Sequence, residues 1–250
     1  GSSLGSAYAV LQAQSSQLFF TRGNIGGAKG LLYRYVDDLR ESAWRTRYWA
    51  ELGPGYRKDR FRFWVNGVTR VDDVEGEVLA AHGVLAGLSW DTRKGGGSSK
   101  SGFYFLIESE GSFWGDYFQR GFFGDARGFF PFAKGVFATR LTHQHAFETE
   151  IPFYRLPVVG GMSLHRGAPF NRWRAPWIST VDLEQRWMLV GPIEGVVFGN
   201  AAWVADSGIH PAGGLGVRLI LPPEETNVSR FDMAWSDSGW GLYASWGEAF

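Results

Sequence analysis

Ionisable side chains at short, regular spacing are the first chemistry this chain offers. His143 and His145 are followed by Glu148 and Glu150. A His-x-His pair on an extended segment points both imidazoles to one side, where a transition metal could sit. Spacing fixes no third and fourth ligand, so the four residues read as a polar rim and no metal is expected. The run Asn24-Ile-Gly-Gly-Ala-Lys-Gly30 has the glycines of a phosphate cradle. It lacks the Gly-Lys-Ser/Thr ending that would aim an ammonium and a hydroxyl at the phosphates, and it reads as a flexible turn. No Gly-x-Ser-x-Gly elbow occurs, and the chain has no cysteine. Thiolate metal sites and disulfide staples are thereby excluded. The chain is expected to be non-enzymatic and to carry no cofactor.

What remains is charge placed at every second residue. Arg45, Arg47, Arg62, Glu108, Asp125, Arg127, Glu184, Arg186, Arg218, Arg230 and Asp232 each face away from the apolar residues of their own segment. Trp44, Tyr48 and Leu52 alternate with Arg45, Arg47 and Glu51. Phe103, Phe105 and Ile107 alternate with Tyr104, Leu106 and Glu108. Leu215, Val217 and Leu219 alternate with Gly216, Arg218 and Ile220. Period 2 means extended strands with two unlike faces. A soluble β-sandwich or lipocalin-like barrel would put the charged face in water and the apolar face inside. Here the charged face holds both signs, strand after strand, and the apolar face is rich in large aromatics. A membrane β-strand accounts for both faces, with rings toward lipid and charges paired inside.

Composition agrees. The chain has 250 residues, 25 basic and 25 acidic, which points to no nucleic-acid partner. Aromatics reach 16% and glycines number 35, above the roughly 7% glycine of soluble domains, as aromatic girdles and tightly packed strands require. The absence of cysteine suits a secreted chain. No apolar run approaches the roughly 18–20 residues of a membrane helix, which leaves strands as the only spanning elements. Gly1-Ser-Ser resembles an expression scar, and a signal peptide is expected to have preceded it.

Candidate strands are 31–37, 43–53, 60–71, 78–92, 102–110, 118–130, 135–143, 177–188, 193–204, 213–221, 228–235 and 240–250, about twelve in all. An even count returns both termini to one side of the membrane. Short turns are expected at Gly53-Pro-Gly-Tyr56, Phe130–Gly135, Leu189–Pro192 and Pro222–Asn227, with a flexible Lys94–Ser101 on the same side. The longest connection, His145–Pro176, falls on the other. The expected fold is all-β: a transmembrane antiparallel up-and-down barrel of about 12 strands over residues 29–250, with the long extracellular loop folding into the lumen. Residues 1–28 are expected to be an N-terminal arm, periplasmic or plug-forming.

Four stretches resemble the bacterial surface-antigen superfamily, the BamA- and TamA-like outer-membrane barrels. These are Leu88-Ser-Trp-Asp-Thr-Arg93, the loop Leu156–Phe170 with its Arg166-Gly167 dipeptide, Gly195–Trp203, and the terminal Gly239–Phe250. The resemblance implies a Gram-negative outer-membrane location and insertion by the barrel assembly machinery. It also implies an assembly signal in Tyr243, Trp246 and Phe250, and a latch in which Arg166 and Gly167 tuck the loop against Asn200 and Asp182. Asn200 stands where the family carries an aspartate. The family's assembly members carry POTRA modules, and 28 residues cannot hold one, so a POTRA-less member is expected. The expected role is structural, lipid-organising or membrane-perturbing. The partners are membrane lipids and, through the small outward faces Ile193/Gly195/Val197/Gly199/Ala201 and Ala80/His82/Ala86, further copies of the chain or its own N-terminal arm. An assembly or translocation barrel with a lateral seam between the first and last strands is the first alternative, and a small diffusion pore the second.

Overall fold

The computed structural model describes residues 19–36, 39–95, 98–148, 150–162, 164–221 and 227–247. Seven strands precede the long connection: β1 (Phe19–Val36), β2 (Leu39–Lys58), β3 (Phe61–Val74), β4 (Glu77–Asp91), β5 (Gly102–Gly115), β6 (Gln119–Phe132) and β7 (Gly135–Ala146). The connection holds one 3-10 turn, Phe153–Arg155, and two short strands, β8 (Val158–Val159) and β9 (Trp173–Arg174). Then follow β10 (Trp177–Val190), β11 (Ile193–Val204), β12 (Gly208–Leu221), β13 (Asn227–Ser236) and β14 (Gly239–Trp246). The long strands form one 12-stranded sheet in chain order, with β7 beside β10 across the connection, and β8 pairs with β9 apart from it. This is the up-and-down meander that the twelve alternating segments required.

The chain divides into two compact units. One reaches to Trp90 and adds Leu106–Phe123 and His145–Leu156; the other holds Asp91–Phe105, Gly124–Gln144 and Pro157–Phe250. In the first, β1 pairs with β2 from Phe19↔Tyr56 to Val36↔Leu39. The expected boundary at residue 28 therefore falls inside a strand, and residues 1–18 lie outside those described. The glycines of Asn24–Gly30 make strand rather than turn for a steric reason. Gly26 faces Trp49 across the pair, and a Cβ there would lie 2.4 Å from the indole ring. A second correction concerns Gly53-Pro-Gly-Tyr56, which stays within β2 while the turn comes at Asp59–Arg60. A Cβ on Gly53 would sit 1.9 Å from the Val65 carbonyl oxygen, so the glycine is there because two backbones touch. The pairing of β2 with β3 skips Gly53 and Pro54, consistent with the missing proline N–H.

In the second unit the Lys94–Ser101 connection is closed at its base by hydrogen bonds. The Lys94 amide donates to Ser101 O at 2.9 Å, and Lys100 donates back to Lys94 O at 2.8 Å. Burial alternates along β10 and β11, with Asp182, Glu184 and Arg186 buried and Val181, Leu183 and Gln185 exposed. The same inversion holds in both units. Phe61, Phe103 and Val217 are exposed at 53%, 40% and 43%, while Arg186, Arg218 and Asp72 are at 0%. Of the charges expected to face inward, Arg62 departs from this. It lies on the charged face but is exposed, because it sits one residue into β3, where Arg57 opposite is exposed as well.

Replacing Gly53 by Ala should cost about 1–3 kcal/mol, because backbone must move to admit the methyl. Gly67→Ala is the matched control, since its Cβ would meet nothing nearer than the Leu52 carbonyl oxygen at 3.8 Å. Urea unfolding in detergent, followed by the heat-shifted gel mobility of the folded form, should separate the two variants.

Candidate functional site: a loop seated on buried charge

The long connection ends in two different seats, one in each unit. In the first unit β2, β3 and β5 turn Arg45, Arg47, Arg70, Asp72 and Glu110 to their charged face. Asp72 accepts from Arg45 Nε at 2.8 Å and Arg47 Nε at 2.9 Å, and Arg70 Nη2 lies 2.5 Å from Glu110. The 3-10 turn adds Arg155, whose Nη2 is 3.4 Å from Glu110 and whose Nε donates to Gln119 Oε1 at 3.2 Å. Tyr154 lies under the Arg45 guanidinium at 4.9 Å, and burial pushes its phenol up to about 12. Burial also holds the Arg155 guanidinium below its ordinary value. Alternation could not have singled out Arg155, because it is carried by a loop.

In the second unit the seat is deeper. Arg166, Arg186, Arg218 and Arg230 are all at most 2% exposed, gathered around Glu184 and Asp232. Arg166 Nη1 lies 2.6 Å from Glu184 Oε1 and 3.1 Å from Asp232 Oδ2, and its guanidinium covers the Phe198 ring at 3.5 Å. Arg186 holds the other oxygen of Glu184 at 2.7 Å, and Arg218 holds Asp232 at 2.5 Å. Arg230 reaches from β13 to the Met162 carbonyl of the loop at 2.7 Å. Buried charges persist only when paired and hydrogen-bonded, and a delocalised guanidinium against a ring face is the cation least costly to strip of water.

The expected partners of Arg166 were Asn200 and Asp182, and here the structure differs. Asp182 faces Asn200, and Glu184 faces Phe198, in the β10–β11 register. Arg166 has sunk to the Phe198 level and so meets Glu184. The level of Asn200 is taken by the residue before it, His165, whose Nδ1 is hydrogen-bonded to Asn200 Oδ1. Gly167 lies where expected beside Arg166, at φ 106°, against the Trp235 backbone. Its amide donates to the Tyr243 hydroxyl at 2.9 Å, its carbonyl accepts from Ser236 Oγ at 2.8 Å, and Tyr243 donates to Ala168 O at 3.0 Å. Apolar packing completes the seat, with Val159, Ala175, Ile178, Ala202 and Val204 buried together and Trp173 against them.

Other expected residues are placed as follows. Asp125 accepts from Arg127 at 2.6 Å and Arg140 at 2.7 Å, and Glu108 is half-buried on the charged face of β5. Trp246 is exposed at 80%, while Phe250 lies outside the described residues. His143 meets Ser179 Oγ at 2.9 Å and His145 stacks on Phe147 at 4.5 Å, so each imidazole has its own neighbour.

No family model matches the sequence, and no curated protein does. Solved structures do match. One is the crystal structure of BamA from Haemophilus ducreyi lacking POTRA domains 1–3, with TM-score 0.74 over 92% of this chain. The fold is that of the BamA barrel. Sequence identity is 14%, and the match spans 57% of the BamA chain, a little over half its length. At that identity the BamA comparison speaks for architecture, and the seat of the loop stands on its own geometry.

Removing Arg166 should uncover two carboxylates at once. Arg166→Ala is expected to cost about 3–5 kcal/mol, with Arg166→Lys between it and the wild type. Tyr243→Phe, which takes one hydroxyl from two loop contacts, should cost about 1–3 kcal/mol. Urea titration gives the totals, and protease cleavage within 157–176 tells whether the loop leaves first.

Seating should also respond to acid. Burial pulls the His165 imidazole below its ordinary value, against the Asn200 hydrogen bond and the Asp237 carboxylate, while His210 adds to the lowering. The seated loop therefore prefers neutral His165, and a released loop regains the ordinary value near 6.5. Seating is at full strength above that pH and weakens as pH falls below it toward the seated value. Loop cleavage should be faster at about pH 5.5 than at about pH 7.5, and His165→Asn should flatten the difference.

Proposed function

We propose that this chain is an integral outer-membrane β-barrel protein whose role is structural and lipid-organising, exercised as a homo-oligomer. One observation carries the reading: the polarity of a soluble protein is reversed. Leu215, Phe231, Trp235, Trp240 and Leu242 are exposed, while Arg186, Arg218, Arg230 and Asp232 are buried. An exposed apolar face of this extent is stable against acyl chains and not against water. Trp203, Trp240 and Trp246 at strand ends fit the aromatic belt of a lipid–water boundary. A loop seated in each unit speaks for a stoppered barrel over an open pore.

The oligomer rests on β11, whose outward Gly199 and Ala201 leave room for a neighbour's backbone, whereas Gly195, expected on the same face, is buried beside the Leu189 and Trp187 side chains. A second reading, an assembly barrel with a lateral seam, is favoured by one feature. The strands at the two ends of the sheet order differ greatly in length, β1 having 18 residues and β14 having 8. Among the described residues β14 offers eight positions to such a seam, and insertion by the barrel assembly machinery would have to complete it.

The purified chain should need detergent, and native mass measurement in mild detergent should give a discrete multimer. A chain that stays monodisperse in buffer alone would overturn the membrane reading, and a lone barrel in detergent would overturn the oligomer. Cysteine pairs joining β1 to β14 address the seam, which is refuted if assembly activity survives the crosslink.

A further inference from the structure

Two turns at one end of the second unit bring together a serine, a histidine and an aspartate that lie outside the charged seat of Arg166. Ser207 closes the β11–β12 turn, His210 is the third residue of β12, and Asp237 lies in the β13–β14 turn. Ser207 Oγ is 3.0 Å from His210 Nε2, and His210 Nδ1 is 2.6 Å from Asp237 Oδ2. One neutral tautomer satisfies both contacts: Nδ1–H donates to the carboxylate, and bare Nε2 accepts the serine proton. This is the geometry by which a base activates a hydroxyl nucleophile while an acid fixes the ring.

We propose that Ser207, His210 and Asp237 form an acyl-ester hydrolase site. Three further observations support a site over a simple staple between turns. The Trp173 indole stacks on His210 at 4.1 Å and 26°, so the imidazole is held from a face as well as from its nitrogens. Ser207 is exposed, and a Cβ on the following Gly208 would meet nothing within 4 Å, which leaves open space beside the hydroxyl. The turns are also flanked by large apolar side chains. Trp203 pairs with Ile209 and Trp235 with Trp240, exposed at 55%, 66%, 48% and 67%.

That flank names the substrate class. Tryptophans at strand ends sit at headgroup depth, where the ester bonds of glycerolipids lie. The step balances without any further reagent than water. Ser207 Oγ bonds to the ester carbonyl carbon as its proton passes to His210 Nε2. The ester C–O bond then breaks, and the departing alkoxide takes that proton. Water gives a proton to His210 and attacks the acyl-serine, which releases the fatty acid and restores Ser207. Asp237 is a positioning residue and touches no reacting atom. The site goes beyond the lipid-organising reading, under which the chain is expected to be non-enzymatic.

A fluorophosphonate probe, a p-nitrophenyl ester and phospholipid mixed micelles test the site on the full chain in detergent. The wild type should be labelled on the peptide that contains Ser207, as mass spectrometry reads, and should hydrolyse both esters. Ser207→Ala and His210→Gln should lose roughly 10³-fold or more. Asp237→Asn should lose roughly 10²–10⁴-fold, with Asp237→Glu restoring part of it, a pattern that a purely structural carboxylate would not give. Heat-shifted gel mobility confirms that each variant is folded. No labelling at Ser207 in folded wild type, or hydrolysis unchanged in folded Ser207→Ala, overturns the site. Cleavage of the p-nitrophenyl ester without the phospholipid keeps the triad and overturns the lipid substrate. Activity in a chain that proves soluble would sink the membrane reading and leave the triad standing.

Discussion

A guanidinium cannot face hydrocarbon cheaply. At mid-depth in a bilayer the exposure costs about 2–4 kcal/mol for each Arg or Lys, and this chain carries such a residue in strand after strand. Once the aromatic side of each strand is given to lipid, the Arg and carboxylate side chains along the middle of the opposite side are committed to the interior. There each must find a partner or drag the strand out of register. The pairs at Asp72, Asp125, Glu184 and Asp232 are the settlement of that constraint.

The loop takes part in that settlement in both units. Arg155 joins Asp72 and Glu110 in one, and Arg166 joins Glu184 and Asp232 in the other. Neither arginine belongs to a long strand. The interior is thus completed by residues that reach it from outside the sheet, and the loop counts as part of the fold. Trp173 ties that seating to the Ser207–His210–Asp237 cluster, because one indole packs in the loop's apolar base and stacks on the histidine.

Period-2 alternation made the sheet legible in the sequence: all twelve long strands and the faces of β10 to β14 follow from it. It failed where strand identity depends on a partner. Gly23–Gly30 looks like a turn until Trp49 is set opposite Gly26, and Gly53-Pro-Gly likewise until Val65 is set against Gly53. The loop arginine stood out by its motif, but its partners did not. Choosing Glu184 over Asp182 requires knowing how far the loop descends, and no local pattern encodes a depth. Ser207, His210 and Asp237 were out of reach for the same reason. Their spacing has no signature, and only the register of β11 to β14 gathers them.

The hairpin β13–β14 supplies Asp232, Arg230, Ser236 and Tyr243 to a loop that precedes it by some 66 to 76 positions. A ribosome or translocon therefore delivers the loop well before its seat exists. During that interval Arg166 has only part of its counter-charge. That hairpin acts as a keystone for the loop: a chain that ends before β13 lacks the Asp232, Arg230, Ser236 and Tyr243 contacts that hold Met162 and residues 166–168.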